Sequence, residues 1–129
     1  MQTTVTKKAL LLILLLFLTC PAWSAWAIVN ETKEFNLYVD PSTVRKDGAL
    51  RKVWEIMDFK LSSSEGYMSI LYKKEYDCKE ERLRLLAISS HSESMAGGKT
   101  LFSRQLNEDW EVIPPRTSNE TILSIVCAK

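Results

Sequence analysis

YMSILYKKEYDC, Tyr67 to Cys78, followed three residues later by RLRLLAIS, Arg82 to Ser89, is the stretch that decides the fold. Its apolar residues repeat every second position. Met68, Ile70, Tyr72, Tyr76 and Cys78 share one parity, and Leu83, Leu85 and Ala87 share another. A period of two is the spacing of a strand with one covered face, and two such strands joined by a short polar connection form an antiparallel hairpin.

Working outward, FNLYV (Phe35 to Val39) alternates in the same way, with Phe35, Leu37 and Val39 together. ALRKVWEIMDF (Ala49 to Phe59) has apolar residues on both parities, as a central or bulged strand does. KTLFS (Lys99 to Ser103) and DWEVI (Asp109 to Ile113) are shorter candidates. Asp47-Gly48, the Ser62–Gly66 run and Gly97-Gly98 supply turns between them. Helix is scarce. Asp40-Pro41-Ser42-Thr43 reads as a single capped helical turn with Pro41 at its first position. Thr117-Ser118-Asn119-Glu120 has the capping-box form after Pro114-Pro115, and Ile122, Ile125 and Val126 follow at helical spacing. The expected fold is α+β: a single antiparallel sheet of about five to six strands, with one C-terminal α-helix packed on a face.

The first residues bear on compartment. Lys7 and Lys8, then the apolar run Ala9 to Leu18, then Pro21 and small residues make a secretory signal peptide, residues 1–24, cut after Ser24, with Ala25 or Ala27 as other positions. Phe17-Leu18-Thr19 before Cys20 lacks the pattern of a lipidation site. Residues 25–129 then form one domain with no integral membrane span. The chain has 17 Lys and Arg against 16 Asp and Glu, and removal of Lys7 and Lys8 tips the balance slightly negative. Such a chain has no general attraction for nucleic acid. Two cysteines remain, Cys78 and Cys127, and an even pair in an exported chain reads as one disulfide. The rival, free or metal-bound thiols, has no CxxC pair to support it.

Catalytic and cofactor chemistry finds little footing. Gly98-Lys99-Thr100 ends like a phosphate-binding loop, but Glu93 stands where that loop begins with Gly, so SMAGGKT (Ser94 to Thr100) reads as a hairpin turn. His91 is the only histidine and reads as a polar loop residue without metal-ligand partners. Glu55 and Asp58, three apart on a strand, face opposite ways and make a poor acid/base pair. Trp26, Trp54 and Trp110 read as core. Asn30-Glu31-Thr32 and Asn119-Glu120-Thr121 match glycan sequons, which an exported chain need not use. No cofactor and no metal are expected.

Trp26, YVDPSTVRKDG, VWEIMDF, EYDCKEERLRLL, MAGGK, WEVIPP and a terminal VC occur in that order. With them the chain resembles the surface-adhesin protein E family, small exported proteins of Gram-negative bacteria. The resemblance implies an antiparallel sheet carrying one helix. It also implies an outer-membrane-associated adhesin that binds host matrix proteins such as laminin and vitronectin, and plasminogen. Lys73 to Arg84 is the densest charged run. Its mixed signs suit a solvated hairpin laced with cross-strand pairs, or a protein-binding face carried by Lys73, Lys74, Lys79, Arg82 and Arg84. Lys129 is a further candidate, since plasminogen's lysine-binding modules accept a carboxy-terminal lysine. The expected function is an exported, non-enzymatic, adhesin-like binding module at the periplasm or cell surface. The alternative is a periplasmic assembly accessory that binds an envelope partner.

Overall fold

The first six strands of the sheet lie side by side in chain order. The computed structural model describes residues 25–129; the expected signal peptide and Cys20 lie outside the described residues. The strands are β1 (Ala27–Glu31), β2 (Phe35–Asp47), β3 (Leu50–Phe59), β4 (Ser69–Asp77), β5 (Arg82–His91), β6 (Thr100–Gln105) and β7 (Glu111–Val112), followed by helix α1 (Ser118–Cys127). The order β1-β2-β3-β4-β5-β6 is antiparallel throughout, and β7 pairs with the start of β5, in line with β6 on the same edge. The alternating runs 35–39, 67–78 and 82–89 are all strands. β1 was not expected, because AIVNE has no clean alternation.

Before its bulge, the odd-numbered residues of β2 share one face with the odd-numbered residues of β3 and the even-numbered residues of β4. Leu37, Val39, Val53 and Tyr76 are buried there with Leu83, Ile113 and the helix residues Ile122, Leu123 and Val126. Cys78 and Cys127 form a disulfide that fastens the end of α1 to the end of β4, with Cα atoms 5.8 Å apart. Three features depart from the pattern-based reading. Asp40 to Thr43 is not a helical turn but part of a bulge, where β2 loses register with β3 between Asp40 and Arg45. The Asp40 carboxylate accepts from Ser42 N (3.0 Å) and Oγ (2.5 Å). Thr43 Oγ1 donates to Asp40 O and accepts from Trp54 N. Of the two hydroxyls, that of Thr43 is tied across to β3 and that of Ser42 back to Asp40, and Pro41, lacking an N–H, is tolerated in such a break. Second, the β4–β5 ladder skips Leu86: Lys74 faces Leu85 but Lys73 faces Ala87. Ala87 therefore leaves the face of Leu83 and Leu85 for the opposite one. Third, none of the described tryptophans joins the core; Trp26, Trp54 and Trp110 are half-buried.

The helix begins as its sequence requires. Thr117 is the N-cap, its side chain accepting from Glu120 N, while the Glu120 carboxylate reaches back to Arg116 N at 2.5 Å. A helix of ten residues is marginal alone, so the cap and the buried stripe decide its stability. Replacing Thr117 with Ala is expected to lower unfolding free energy by about 1 kcal/mol, read from urea denaturation. An unchanged midpoint would show the cap to be idle.

Candidate functional site

The β4–β5 hairpin gathers most of the charged candidates, and its turn is built by one carboxylate. Asp77 accepts from the backbone N–H groups of Lys79 (3.0 Å) and Glu80 (3.1 Å), and from Arg82 Nε (3.1 Å). Burial pushes its pKa up, but the Glu80 N–H, the Arg82 side chain and the Lys79 N–H together hold it below the ordinary 3.8. A lowered carboxyl pKa adds stability that is present above 3.8 and lost as pH falls through the folded value. Asp77→Asn should flatten the acid side of a stability-versus-pH curve; an unchanged acid limb would contradict this.

Arg84 donates twice to Glu75 Oε1, at 2.6 and 2.9 Å. Arg82 and Arg84 both stack on Trp110, with guanidinium carbons 4.7 and 4.5 Å from the ring centroid. These two cations are held flat on the face opposite the helix, screened by Asp77 and Glu75. Lys73 lies over Trp54, 5.4 Å from its ring centroid, on that same face. Lys79 and Lys129 are exposed.

Lys74 belongs elsewhere. It points to the helix side, where its Nζ donates to Glu55 Oε1 (2.9 Å) and Asn119 Oδ1 (3.2 Å). Tyr76 donates to the other oxygen, Glu55 Oε2, at 2.7 Å. Glu55 has no exposed surface and the Lys74 side chain only 15%. Burial first, then the charge and hydrogen bond of Glu55, push the Tyr76 hydroxyl pKa far up. The parity that places Tyr76 in the core also carries Lys74 inward, a signal present in the sequence but outweighed by its charge.

His91 is not a loop residue: it ends β5, is buried, and its Nε2 sits 2.8 Å from Ser89 Oγ. A polar partner on the neighbouring strand position explains how it tolerates burial. SMAGGKT lies in the β5–β6 hairpin connection and opens no helix. Gly98 there has φ +68, and a side chain would collide with Ser92 Oγ at 2.3 Å. Glu55 faces the helix while Asp58 accepts from Met95 N beyond the other face. Among the described residues no three His, Cys, Asp or Glu side chains are grouped as a metal site requires.

Two further surfaces escaped the sequence pattern. β6 is exposed at every residue, including Leu101 (51%) and Phe102 (53%), and forms the outer edge of the sheet. Alternation marks KTLFS as a strand but cannot say which strand ends a sheet. A cavity of about 260 Å³ opens beside the β2 bulge, lined by Arg45, Lys52, Trp54 and Lys73. None of the described helices is long and apolar enough to cross a membrane.

The profile of surface-adhesin protein E matches residues 26–128. Among solved structures, the chain is similar to the selenomethionine form of Haemophilus influenzae protein E, with 15% identity and a TM-score of 0.66 over 83% of this chain and 88% of that one. Protein E from non-typeable Haemophilus influenzae superposes with a TM-score of 0.62 at 16% identity, over 83% of this chain and 78% of that one. No curated protein matches the sequence. At such identity the structures share the fold, and the profile carries the kinship: this chain belongs to the surface-adhesin protein E family.

Proposed function

We propose that the protein is an exported, non-enzymatic binding module that captures a protein partner through its open sheet edge, with host matrix proteins or plasminogen as the ligands. The observation that carries this reading is β6. A six-residue strand with exposed Leu101 and Phe102 and one unpaired edge among the described strands can accept an extended segment by backbone pairing. Family membership supports an adhesin-like role. The first 24 residues act as a signal peptide, and the chain works at the periplasm or surface of a Gram-negative cell. Lys73, Lys79, Arg82, Arg84 and Lys129 contribute charge around the contact, with most effect on association rate. Lys74, closed in with Glu55, acts through the fold.

Surface plasmon resonance on immobilised laminin, vitronectin and plasminogen tests the proposal. Leu101→Lys with Phe102→Lys should weaken capture about tenfold or more with the melting curve unchanged. Binding by the folded parent protein that survives this double change would move the contact off β6. Failure of the folded parent to bind any of the three would favour the periplasmic accessory role.

A further inference from the structure

The β2 bulge does more than interrupt a ladder. By lifting residues 41–44 out of register with β3, it leaves the cavity of about 260 Å³ on the face opposite the helix. Its lining is unusual for a simple packing gap. Arg45, Lys52 and Lys73 bring three positive charges, Trp54 gives a half-buried flat wall, and Ser42 supplies a hydroxyl. Among the described residues, Arg45 and Lys73 have no carboxylate within ion-pair distance, and Lys52 reaches Glu75 only at 4.0 Å. The two acids nearby are already engaged. Asp40 accepts from Ser42, and Glu75 holds Arg84 at 2.6 Å.

The charges also extend in a line. Arg45 faces Lys52, Lys52 faces Glu75 and Glu75 faces Arg84 in direct register across β2, β3, β4 and β5. Arg45 and Arg84 are thus three strand spacings apart, about 14 Å. Arg84 is already paired with Glu75, so the row leaves Arg45 and Lys52 to solvent, with Lys73 beside them in the cavity wall. We propose that this face binds a linear sulfated polysaccharide, with one sugar unit in the cavity against Trp54 and its anionic groups on Arg45, Lys52 and Lys73.

The geometry selects among anions. A single phosphate or sulfate could pair with these cations but has no ring to lie against Trp54. A run of Asp and Glu brings carboxylates but no ring either, although the outer side of β2 beyond Asp40 is left unpaired by β1. A chain of sugar rings carrying sulfate at intervals meets both the spread of charge and the aromatic wall. Arginine's planar fork pairs with two oxygens of one sulfate, and Ser42 Oγ, a donor to Asp40, still has a lone pair for a sugar hydroxyl. The cavity lies on β2 to β4 and not on the β6 edge; Lys73 is the one cavity cation shared with the charges around the protein contact, so Arg45 and the Leu101–Phe102 pair separate the two readings.

The test is calorimetric titration of a heparin-derived octasaccharide into the purified protein, with desulfated heparin and a poly-glutamate peptide as comparators. Heparin should bind, more weakly as salt rises. Arg45→Ala with Lys73→Ala should weaken it about tenfold or more. Removing the exposed cations Lys33 and Lys99, far from the row in sequence, should change it by less than about threefold, as for screened charges. Arg45→Gln alone, at an exposed residue outside any ion pair, gives the reading if the double variant unfolds. Absence of heparin binding, equal losses in both double variants, or equally tight binding of desulfated heparin or poly-glutamate would each overturn the proposal.

Discussion

Replacing Cys78 and Cys127 with Ser is expected to lower stability by about 4 kcal/mol. The bridge closes a separation of 49 residues and so removes much of the unfolded chain's freedom. It also holds a helix that could not hold itself. α1 has ten residues, too few to be stable alone, and is held by burial of Ile122, Leu123 and Val126 together with the bridge. In a domain of this size, the melting temperature should fall by about 15–30 °C. Differential scanning calorimetry of the variant, and of the parent with reductant, is the measurement. A shift of only a degree or two in both would mean that packing alone fixes the helix.

The second large effect should come from Lys74→Ala. Glu55 has no exposed surface and depends on Lys74 and Tyr76 for its partners. Taking away the cation leaves a buried carboxylate with one neutral donor, a change that costs about 3–5 kcal/mol in comparable cases. It also frees Asn119 in the first turn of α1. Changing all three groups, Glu55→Leu, Lys74→Met and Tyr76→Phe, should bring stability back to within about 1.5 kcal/mol of the parent, because neither a charge nor the Tyr76 hydroxyl is then stranded. If the single and triple variants unfold at the same urea concentration, the cluster is not the source of the loss. Reversing Lys74 to Glu is therefore a poor probe of partner binding, since it would damage the fold first.

How far the sequence could be read is visible in three places. Phe35 to Val39 and Tyr67 to Asp77 alternate because one face is covered by α1, so their strands and faces follow from period alone. Thr117 to Glu120 carries its own capping chemistry, and the helix starts there. Asp40 to Thr43 carries similar residues, yet they serve a bulge, since local caps and bulges use the same hydroxyl and carboxylate donors and acceptors. What separates them is Trp54 N on the neighbouring strand, a contact eleven residues away. Ala87 escapes the pattern for a related reason: the skipped Leu86 is a property of the pair of strands, not of either one, whereas the inward parity of Lys74 is legible and only its charge points the other way. The charged run showed that cross-strand pairing was available. It could not show that Trp110 would return from beyond β6 to lie under Arg82 and Arg84.

The strand order has a temporal side. Because β1 to β6 are neighbours in the sheet in the order in which they occur in the chain, a polypeptide emerging from its amino end always finds the previous strand already present. Such sequential, local pairing keeps loop closure short and nucleation quick. The exception is the last ten-residue element, whose cysteine must travel back to a partner placed midway along the chain. Pulsed alkylation during refolding should thus find sheet hydrogen bonds protected while Cys127 is still reactive. Equal rates for the two events would argue against this order. Until its final residues arrive, the sheet exists without its latch.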